Sequence, residues 1–128
     1  RIEASPDRVW GELPGVFEEV GIPIGTVDAS QQLMGNRGVR VAHRIKAGRL
    51  SQLLSCGEGL TGPSADSYDV SISVLTRLEA DGKATVLRTV VEGRASSGTN
   101  GGGAVRCATT GVLEQKIATS LTLRSVAH

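Results

Sequence analysis

The sequence predicts an α+β fold, a two-layer arrangement in which an antiparallel sheet of about four to six strands carries an N-terminal and a C-terminal helix on one face. Three observations predict it. Apolar residues recur at helical spacing near both ends, alternating residues between them indicate strands, and the longest alternating run surrounds a two-residue turn. The 128 residues, 39% of them apolar, suffice for one core, so we expect a single domain over residues 1–128.

The first helix is predicted to follow Ser5, which reads as an N-cap, with Pro6 and Asp7 in the first turn. Gly21 is expected to end it. The apolar positions that would face the core are Val9, Leu13, Val16, Phe17 and Val20. Pro14 removes one backbone hydrogen bond near the middle, so we expect it to kink or split the helix.

Two strand patterns come next along the chain. Residues 21–36 contain β-branched residues on both sides of an Asp28-Ala29-Ser30 turn and predict a hairpin. Residues 38–46 alternate and predict one further strand. One face of that strand would carry Val39, Val41, His43 and Ile45, and the other Arg40, Ala42, Arg44 and Lys46.

Residues 67–93 give the strongest strand pattern, two extended runs around an Asp81-Gly82 turn. If Ala80 pairs with Lys83, the buried face consists of the opposed pairs Leu78–Thr85, Thr76–Leu87, Val74–Thr89 and Ile72–Val91. The other face carries Ser71, Ser73, Arg77, Arg88 and Glu92, and we expect it to be solvated or available to a partner.

Two loops rich in glycine and serine are predicted at about residues 47–66 and 95–106, the first with a short turn of helix at residues 50–54. The final helix is predicted to begin with Thr109 or Thr110 as its cap. Its core positions, one turn apart, are Leu113, Ile117 and Leu121.

The chain has two cysteines, Cys56 and Cys107, and both lie in predicted glycine-rich loops. A disulfide between them would close a loop of about 52 residues and stabilise the fold by roughly 4 kcal/mol. It would also place the protein outside the cytoplasm. Two independent buried thiols are one alternative, and a zinc site that adds His43 and His128 is another.

Gly57, Gly59 and Gly62 have the G-x-G-x-x-G spacing of a dinucleotide-binding loop. That loop needs a helix after it, whereas here a proline and a predicted strand follow. A thiol enzyme would need Cys56 beside a base, and His43 lies on an apolar strand face. We therefore expect no catalytic residue, no cofactor and no metal ion.

Fourteen Lys and Arg against thirteen Asp and Glu give a net charge of +1, and the chain has one Trp, one Tyr and one Phe. This composition argues against nucleic-acid binding. Residues 36–49 nevertheless carry five basic side chains and no acid, namely Arg37, Arg40, Arg44, Lys46 and Arg49. We expect this stripe to contact anionic lipid headgroups or an acidic partner surface, and an exposed strand kept soluble by charge is the alternative.

The run ASPDRVWGELPGVFEEVGIPIGTVDASQQLMGNRGVRV resembles the repeated domain of small bacterial envelope lipoproteins, such as the one attached to the outer-membrane β-barrel assembly machine. In that family a helix with an early Trp leads into G-I-x-I and a strand, then an Asp-led turn and another strand. The likeness covers residues 4–45, and the segments around both cysteines depart from it. It implies a helix-on-sheet domain that is exported across the inner membrane, is not an enzyme and is attached to a larger membrane assembly.

Three functional hypotheses follow. The first is a non-enzymatic extracytoplasmic, periplasmic structural or accessory subunit that docks on the subunits of a larger membrane-protein complex. The second is a module that binds a lipid or a small apolar ligand, and the third is an enzyme that uses Cys56 or His43.

No run of residues is long and apolar enough to cross a bilayer, so we expect any signal or membrane anchor to lie upstream of residue 1.

Overall fold

The computed structural model describes residues 1–42, 44–56, 58–59, 62–63, 69–96 and 105–126. Its elements in chain order are α1 (Pro6–Val20), β1 (Thr26–Asp28), β2 (Leu33–Ala42), β3 (Arg44–Ile45), β4 (Gly48–Arg49), α2 (Leu50–Leu53), β5 (Leu54–Ser55), β6 (Glu58–Gly59), β7 (Gly62–Pro63), β8 (Asp69–Asp81), β9 (Ala84–Ser96), β10 (Val105–Thr109) and α3 (Val112–Val126). Six strands form one antiparallel sheet in the order β1-β2-β8-β9-β10-β5. Together with α1 and α3, this sheet confirms the predicted α+β fold.

Helix α1 begins and ends as its sequence predicts. The Ser5 side chain accepts a hydrogen bond from the Arg8 amide, and Gly21 ends the helix with φ +88°. All five predicted core positions are buried. The helix is continuous through Pro14, so the predicted split does not occur. The buried neighbours Leu13, Val16 and Phe17 hold the segment against the core, which outweighs the loss of one backbone hydrogen bond.

Both long helices lie on the same face of the sheet, where they contact each other and the two central strands. Helix α3 turns Leu113, Ile117 and Leu121 inward as predicted, and none of the three is exposed. The two threonines before it both accept hydrogen bonds from backbone amides at its start. Thr109 Oγ1 accepts from the Gly111 amide, and Thr110 Oγ1 accepts from the Val112 amide. The core therefore lies between one helix layer and one sheet face. We call the sheet face away from the helices the outer face.

The β8–β9 hairpin differs from its predicted register by two residues. Asp81 pairs with Ala84, so the turn residues are Gly82 and Lys83, and the predicted pairing of Ala80 with Lys83 is wrong. Gly82 takes φ +64° as the first central residue, which is where a type II′ turn needs glycine. A shift of two residues leaves every side chain on its predicted face. The inward positions of β8 are accordingly buried, namely Ile72, Val74, Thr76 and Leu78.

The stretch predicted as a first loop contains short regular elements. Helix α2 confirms the expected turn of helix, and β5, directly after it, joins the edge of the main sheet by pairing with β10. Leu50, Leu53 and Leu54 are buried, which explains why this segment is held against the core. The second predicted loop is shorter than expected, because β9 extends to Ser96 and β10 begins at Val105. Residues 97–104 lie outside the described part of the chain.

The N-terminus contributes one further contact to the sheet. Ile2 and Thr85 exchange two backbone hydrogen bonds, with N–O distances of 2.7 and 2.9 Å. Ile2 thereby lies beside β9 on the edge that β10 covers only at residues 93–95.

Gly35 lies where β2 runs against the backbone of β8. A Cβ atom at this position would collide with the Val74 carbonyl oxygen and would lie 2.9 Å from Leu75 Cα. We expect Gly35→Ala to lower the free energy of unfolding by about 2–3 kcal/mol, because backbone atoms cannot move aside as a flexible side chain can. Urea unfolding followed by circular dichroism measures this change.

The matched control is Gly38→Ala in the same strand, since the added Cβ would meet only Ser71 Oγ, at 3.5 Å. We expect this control to be as stable as the parent or up to about 1 kcal/mol more stable, through the lower entropy of its unfolded chain. Equal unfolding midpoints for the two variants would show that β2 relaxes around the extra methyl group, contrary to our expectation.

The β1–β2 hairpin confirms the turn predicted at Asp28, Ala29 and Ser30. Asp28 Oδ1 accepts hydrogen bonds from the Ser30 hydroxyl at 2.6 Å, the Ser30 amide at 3.1 Å and the Gln31 amide at 3.3 Å. These bonds stabilise the ionised carboxylate and lower the pKa of Asp28, with the Ser30 hydroxyl as the largest cause. The folded protein therefore binds this proton more weakly than the unfolded chain does.

We expect the contribution of Asp28 to stability to be present above the ordinary aspartate pKa of about 3.9 and to be lost as the pH falls through the lowered value. Ser30→Ala should raise the pKa of Asp28 toward its ordinary value, whereas Ser30→Thr, which keeps the hydroxyl, should leave it low. An NMR titration of the Asp28 carboxyl carbon tests both variants. An unchanged pKa in Ser30→Ala would exclude the hydroxyl as the main cause.

Candidate functional site

The structure separates the five basic residues of the predicted stripe. Arg37 and Arg40 lie on β2, Arg44 on β3, Lys46 in the following turn and Arg49 on β4. The segment predicted as one strand over residues 38–46 is divided between β2 and β3, which belong to different sheets. His43 lies outside the described residues.

Residues 44–49 form a separate two-stranded ladder beside the end of α1. Ile45 is 7% exposed, in agreement with its place on the predicted apolar face, and it pairs with Gly48. The Ala47 amide donates to the Val20 carbonyl at the end of α1, at 3.1 Å. Lys46 consequently lies beside Gly21, on the helix side of the molecule and away from Arg40.

Arg40 instead belongs to a row of residues that crosses four strands of the outer face. Its backbone partner on β8 is Ser71, the partner of Ser71 on β9 is Arg94, and the partner of Arg94 on β10 is Arg106. All four side chains of the row are exposed. We call Arg40, Ser71, Arg94 and Arg106 the cationic row. Arg94 and Arg106 are direct cross-strand neighbours, an arrangement in which like charges repel.

A recess of about 300 Å³ lies along this row. We call it the arginine recess, and it is lined by Arg37, Ser71, Ser73, Glu92, Gly93, Arg94 and Arg106. Arg37 enters it from an irregularity of β2 between Asn36 and Val39, where the register with β8 shifts. Such bulges turn a side chain away from the regular alternation of a strand. Three arginines and one glutamate give the recess a formal charge of +2.

The ion pairs of the described residues lie elsewhere. Arg88 pairs with Glu79 on the same outer face at 3.3 Å, and Arg124 pairs with Glu19 at the helices at 3.1 Å. Arg1, at the chain start, pairs with both Glu3 and Asp81. Over the ranges that the structure describes, none of the arginines of the cationic row or of the recess has a carboxylate within ion-pair distance. Their charge is therefore available to an anionic group from outside.

Sequence reasoning missed Arg94 and Arg106 as members of this site. Arg94 follows Arg88 and Glu92 at even spacing on β9, so alternation alone would place it on the outer face. The sequence did not indicate a role for Arg106, because residues 95–106 were predicted to form a loop. Its position depends on the pairing of β10 with β9, a long-range contact that local patterns do not carry.

The predicted disulfide is present. Cys56 and Cys107 are bonded across a sequence separation of 51, with their Cα atoms 4.3 Å apart, and each residue is 4% exposed. Cys107 lies within β10 and not in a loop, and opposite it on β9 is Gly93. A Cβ atom on Gly93 would lie 2.7 Å from Leu54 Cδ1, so the missing side chain makes room for the segment that carries Cys56. A disulfide of this kind is typical of an oxidising, extracytoplasmic environment.

The same bond bears on the chemistry expected of Cys56. As half of a disulfide it has no thiolate to act as a nucleophile. The two histidines considered beside it, His43 and His128, lie outside the described residues. Within those residues no group of three His, Cys, Asp or Glu side chains is placed to hold a metal ion. Of the glycine motif, Gly57 is not described, while Gly59 and Gly62 pair across the short β6–β7 ladder.

A second hollow, of about 470 Å³, opens between the ends of α1 and α3. Val20, Ala47 and Leu123 contribute apolar surface to it, and Leu123 is 64% exposed. Glu19 lies at its rim, where hydrogen bonds from Ser120 and then Arg124 lower the pKa of the Glu19 carboxyl. This hollow is open to solvent and lies outside the helix–sheet core.

No family model, curated protein or solved structure matches this chain. The resemblance of residues 4–45 to envelope lipoprotein domains therefore stays a hypothesis. Within the residues that the structure covers, no helix has the length and apolar character to cross a membrane.

Proposed function

We propose that this chain is a non-enzymatic structural or accessory subunit of the periplasm that docks on a larger membrane-protein complex through the outer face of its sheet. The observation that carries the proposal is the cationic row, which lies on the outer face and makes no ion pair within the described ranges. The helices occupy the opposite face, so the outer face is the broad regular surface left for a partner.

The charge of this face favours an acidic partner surface. Exposed like charges on adjacent strands repel in the isolated protein, and a facing set of carboxylates relieves that repulsion. Complementary charge also speeds the encounter of two proteins and fixes their orientation. Arg88 pairs with Glu79 nearer the β8–β9 turn, whereas the cationic row crosses β8 and β9 farther from that turn.

The disulfide supports the proposed location in an oxidising compartment outside the cytoplasm. The bond is buried and joins the β5 edge to β10, and reducing compartments disfavour such bonds. Alkylation of whole cells with a thiol reagent, before and after reduction, tests this part of the proposal. We expect no labelling of Cys56 or Cys107 until a reductant is added. Labelling without reductant would contradict an oxidising location.

The test of docking is the native mass of the assembly that contains this chain. The full protein is solubilised gently from the membranes of the cells that make it, and the polypeptides that co-migrate with it are identified. We expect migration in a large complex at fixed stoichiometry. Migration as a free small protein would overturn the proposal.

Charge-reversal variants test whether the outer face is the surface that docks on the complex. The test variant is Arg40→Glu with Arg94→Glu, and the matched control is Lys83→Glu with Lys116→Glu. The control makes the same change in net charge at exposed positions in the β8–β9 turn and on α3. We expect the test variant to leave the complex and the control to stay. Equal retention of both would exclude the outer face as the docking surface.

A second candidate, a module for a lipid or small apolar ligand, is favoured by the hollow between α1 and α3 and the exposed Leu123 beside it. Native mass spectrometry of the protein isolated from its own cells tests this candidate. A retained ligand that is lost in Leu123→Glu would favour it over docking, and a mass equal to that of the polypeptide alone would exclude it.

A further inference from the structure

We propose that the arginine recess is a binding site for a phosphate group. The inference rests on the proposed function in one respect, that the outer face is turned toward a partner or surface, and it names the chemistry that this part of the face recognises.

Guanidinium groups without an ion-pair partner among the described residues are concentrated at the recess. Arg94 and Arg106 are opposed on adjacent strands, which lie about 4.8 Å apart in a sheet. Arg37 joins them at the recess, and no carboxylate pairs with any of the three in the described part of the chain. An anion shared between the arginines turns their mutual repulsion into attraction, because each guanidinium then faces an opposite charge.

Two serine hydroxyl groups line the recess together with these arginines. Ser71 and Ser73 are two residues apart on β8, so both side chains lie on the outer face, about 6.6 Å apart along the strand. Ser71 is the cross-strand partner of Arg94, so a hydroxyl donor and an arginine project from neighbouring positions of the outer face. The recess is therefore lined by both charged and neutral hydrogen-bond donors.

The composition of the recess fits a phosphate group better than a carboxylate. A carboxylate has one charge and two oxygens, and a single arginine can satisfy it with two parallel hydrogen bonds. A phosphate monoester carries a charge of about −1.5 to −2 and three strong acceptor oxygens. The formal charge of +2 and the three arginines of the recess match the second set. Glu92, the one acid at the site, lowers the affinity of the recess and sets its net charge.

The test begins with inorganic phosphate and the intact, disulfide-bonded protein. NMR spectra are recorded during addition of phosphate and, as a reference, of chloride at matched ionic strength. We expect phosphate to shift the signals of residues 71, 73, 92–94 and 106, and chloride not to shift them. Absence of a specific phosphate response in the folded protein would overturn the inference.

Four variants test the roles of individual side chains. Arg94→Gln should weaken phosphate binding about 10- to 100-fold, as expected for loss of a hydrogen bond to a charged group. Arg94→Lys should weaken it less, because it keeps the charge and loses the planar fork. Glu92→Gln should strengthen binding. The control Arg77→Gln removes a charge from the same face outside the recess and should change the affinity less than about twofold.

Equal weakening by Arg94→Gln and Arg77→Gln would mean that phosphate responds only to the overall charge, and it would overturn the inference. Weaker phosphate binding by Glu92→Gln would overturn the inference as well, because removal of a negative charge from the recess must increase its affinity for an anion. The melting temperature of each variant, measured in parallel, confirms that the comparison is between folded proteins.

A phosphate group can come from a soluble phosphate monoester or from a lipid headgroup, and two further probes distinguish these sources. One is glycerol 3-phosphate, and the other is vesicles of phosphatidylcholine with and without phosphatidic acid. Vesicle binding that requires phosphatidic acid and is lost in Arg94→Gln identifies the headgroup as the source. Binding of glycerol 3-phosphate without binding of vesicles identifies the soluble source.

This test is independent of the docking experiment. Phosphate binding by the isolated protein together with migration as a free small protein would leave this site standing and overturn the docking proposal. Assembly into a large complex without a phosphate response would do the opposite.

Discussion

We expect joint replacement of both cysteines, Cys56→Ala with Cys107→Ala, to lower the free energy of unfolding by about 4 kcal/mol. The disulfide spans a sequence separation of 51, and the entropy that it removes from the unfolded chain corresponds to roughly this value. The loss is large because total stabilities of domains are commonly only about 5–15 kcal/mol. The bond also holds the edge strand β5 to β10, where only two residue pairs join them.

Heat and urea unfolding of the oxidised parent and the double variant measure this effect. We expect the melting temperature to fall on the order of 15 °C for a chain of this length. Reduction of the parent should reproduce the loss, and the same reductant should leave the double variant unchanged. A loss below about 1 kcal/mol in the double variant would show that the unfolded chain is already compact around this loop.

Phe17→Ala is expected to lower the free energy of unfolding by about 3–5 kcal/mol. Phe17 is the sole phenylalanine of the chain, it is completely buried, and it is the largest of the fully buried side chains. Its removal leaves a cavity between α1 and the sheet, which an otherwise aliphatic core fills only by shifting whole elements.

The matched control is Glu18→Ala at the adjacent, exposed position of α1. This control should change stability by less than about 0.5 kcal/mol. Chemical unfolding of both variants, with the disulfide intact, makes the comparison. If the two losses were equal, the core would have to collapse into the vacated volume, contrary to the close packing on which the expectation depends.

Local patterns were sufficient for the helices and for the faces of the long strands. The spacing of Leu13, Phe17 and Val20, and that of Leu113 and Ile117, reflects a helix that lies on a sheet, and each of these residues is buried. The face assignments of the β8–β9 hairpin survived a register error of two residues because side-chain direction repeats every two residues. The turn itself was misplaced, since Asp-Gly is also a favoured hairpin turn.

The candidate site was only partly predictable, for a different reason. Arg40 lies on the outer face of β2, but the row that it joins is assembled from strands distant in sequence, including β10. Nothing local to Arg106 signals that it lies opposite Arg94. Arg44 and Lys46 were grouped with Arg40 because local alternation does not show that β3 pairs with β4 in a separate ladder. The pairing of the two cysteines could be predicted without knowledge of the strand order, because the chain has only two cysteines and hence one possible intramolecular pair.

The contact between Ile2 and Thr85 has a consequence for aggregation. Strand β10 covers β9 only at residues 93–95, and Ile2 occupies its edge at Thr85, so among the described residues the stretch 86–92 has no strand neighbour on that side. An open strand edge is a template for a second copy. The Ile2 bridge shortens this edge, and the open stretch that remains carries the charged side chains of Arg88 and Glu92. The first few residues therefore reduce the length of β9 to which a strand of a second copy could add.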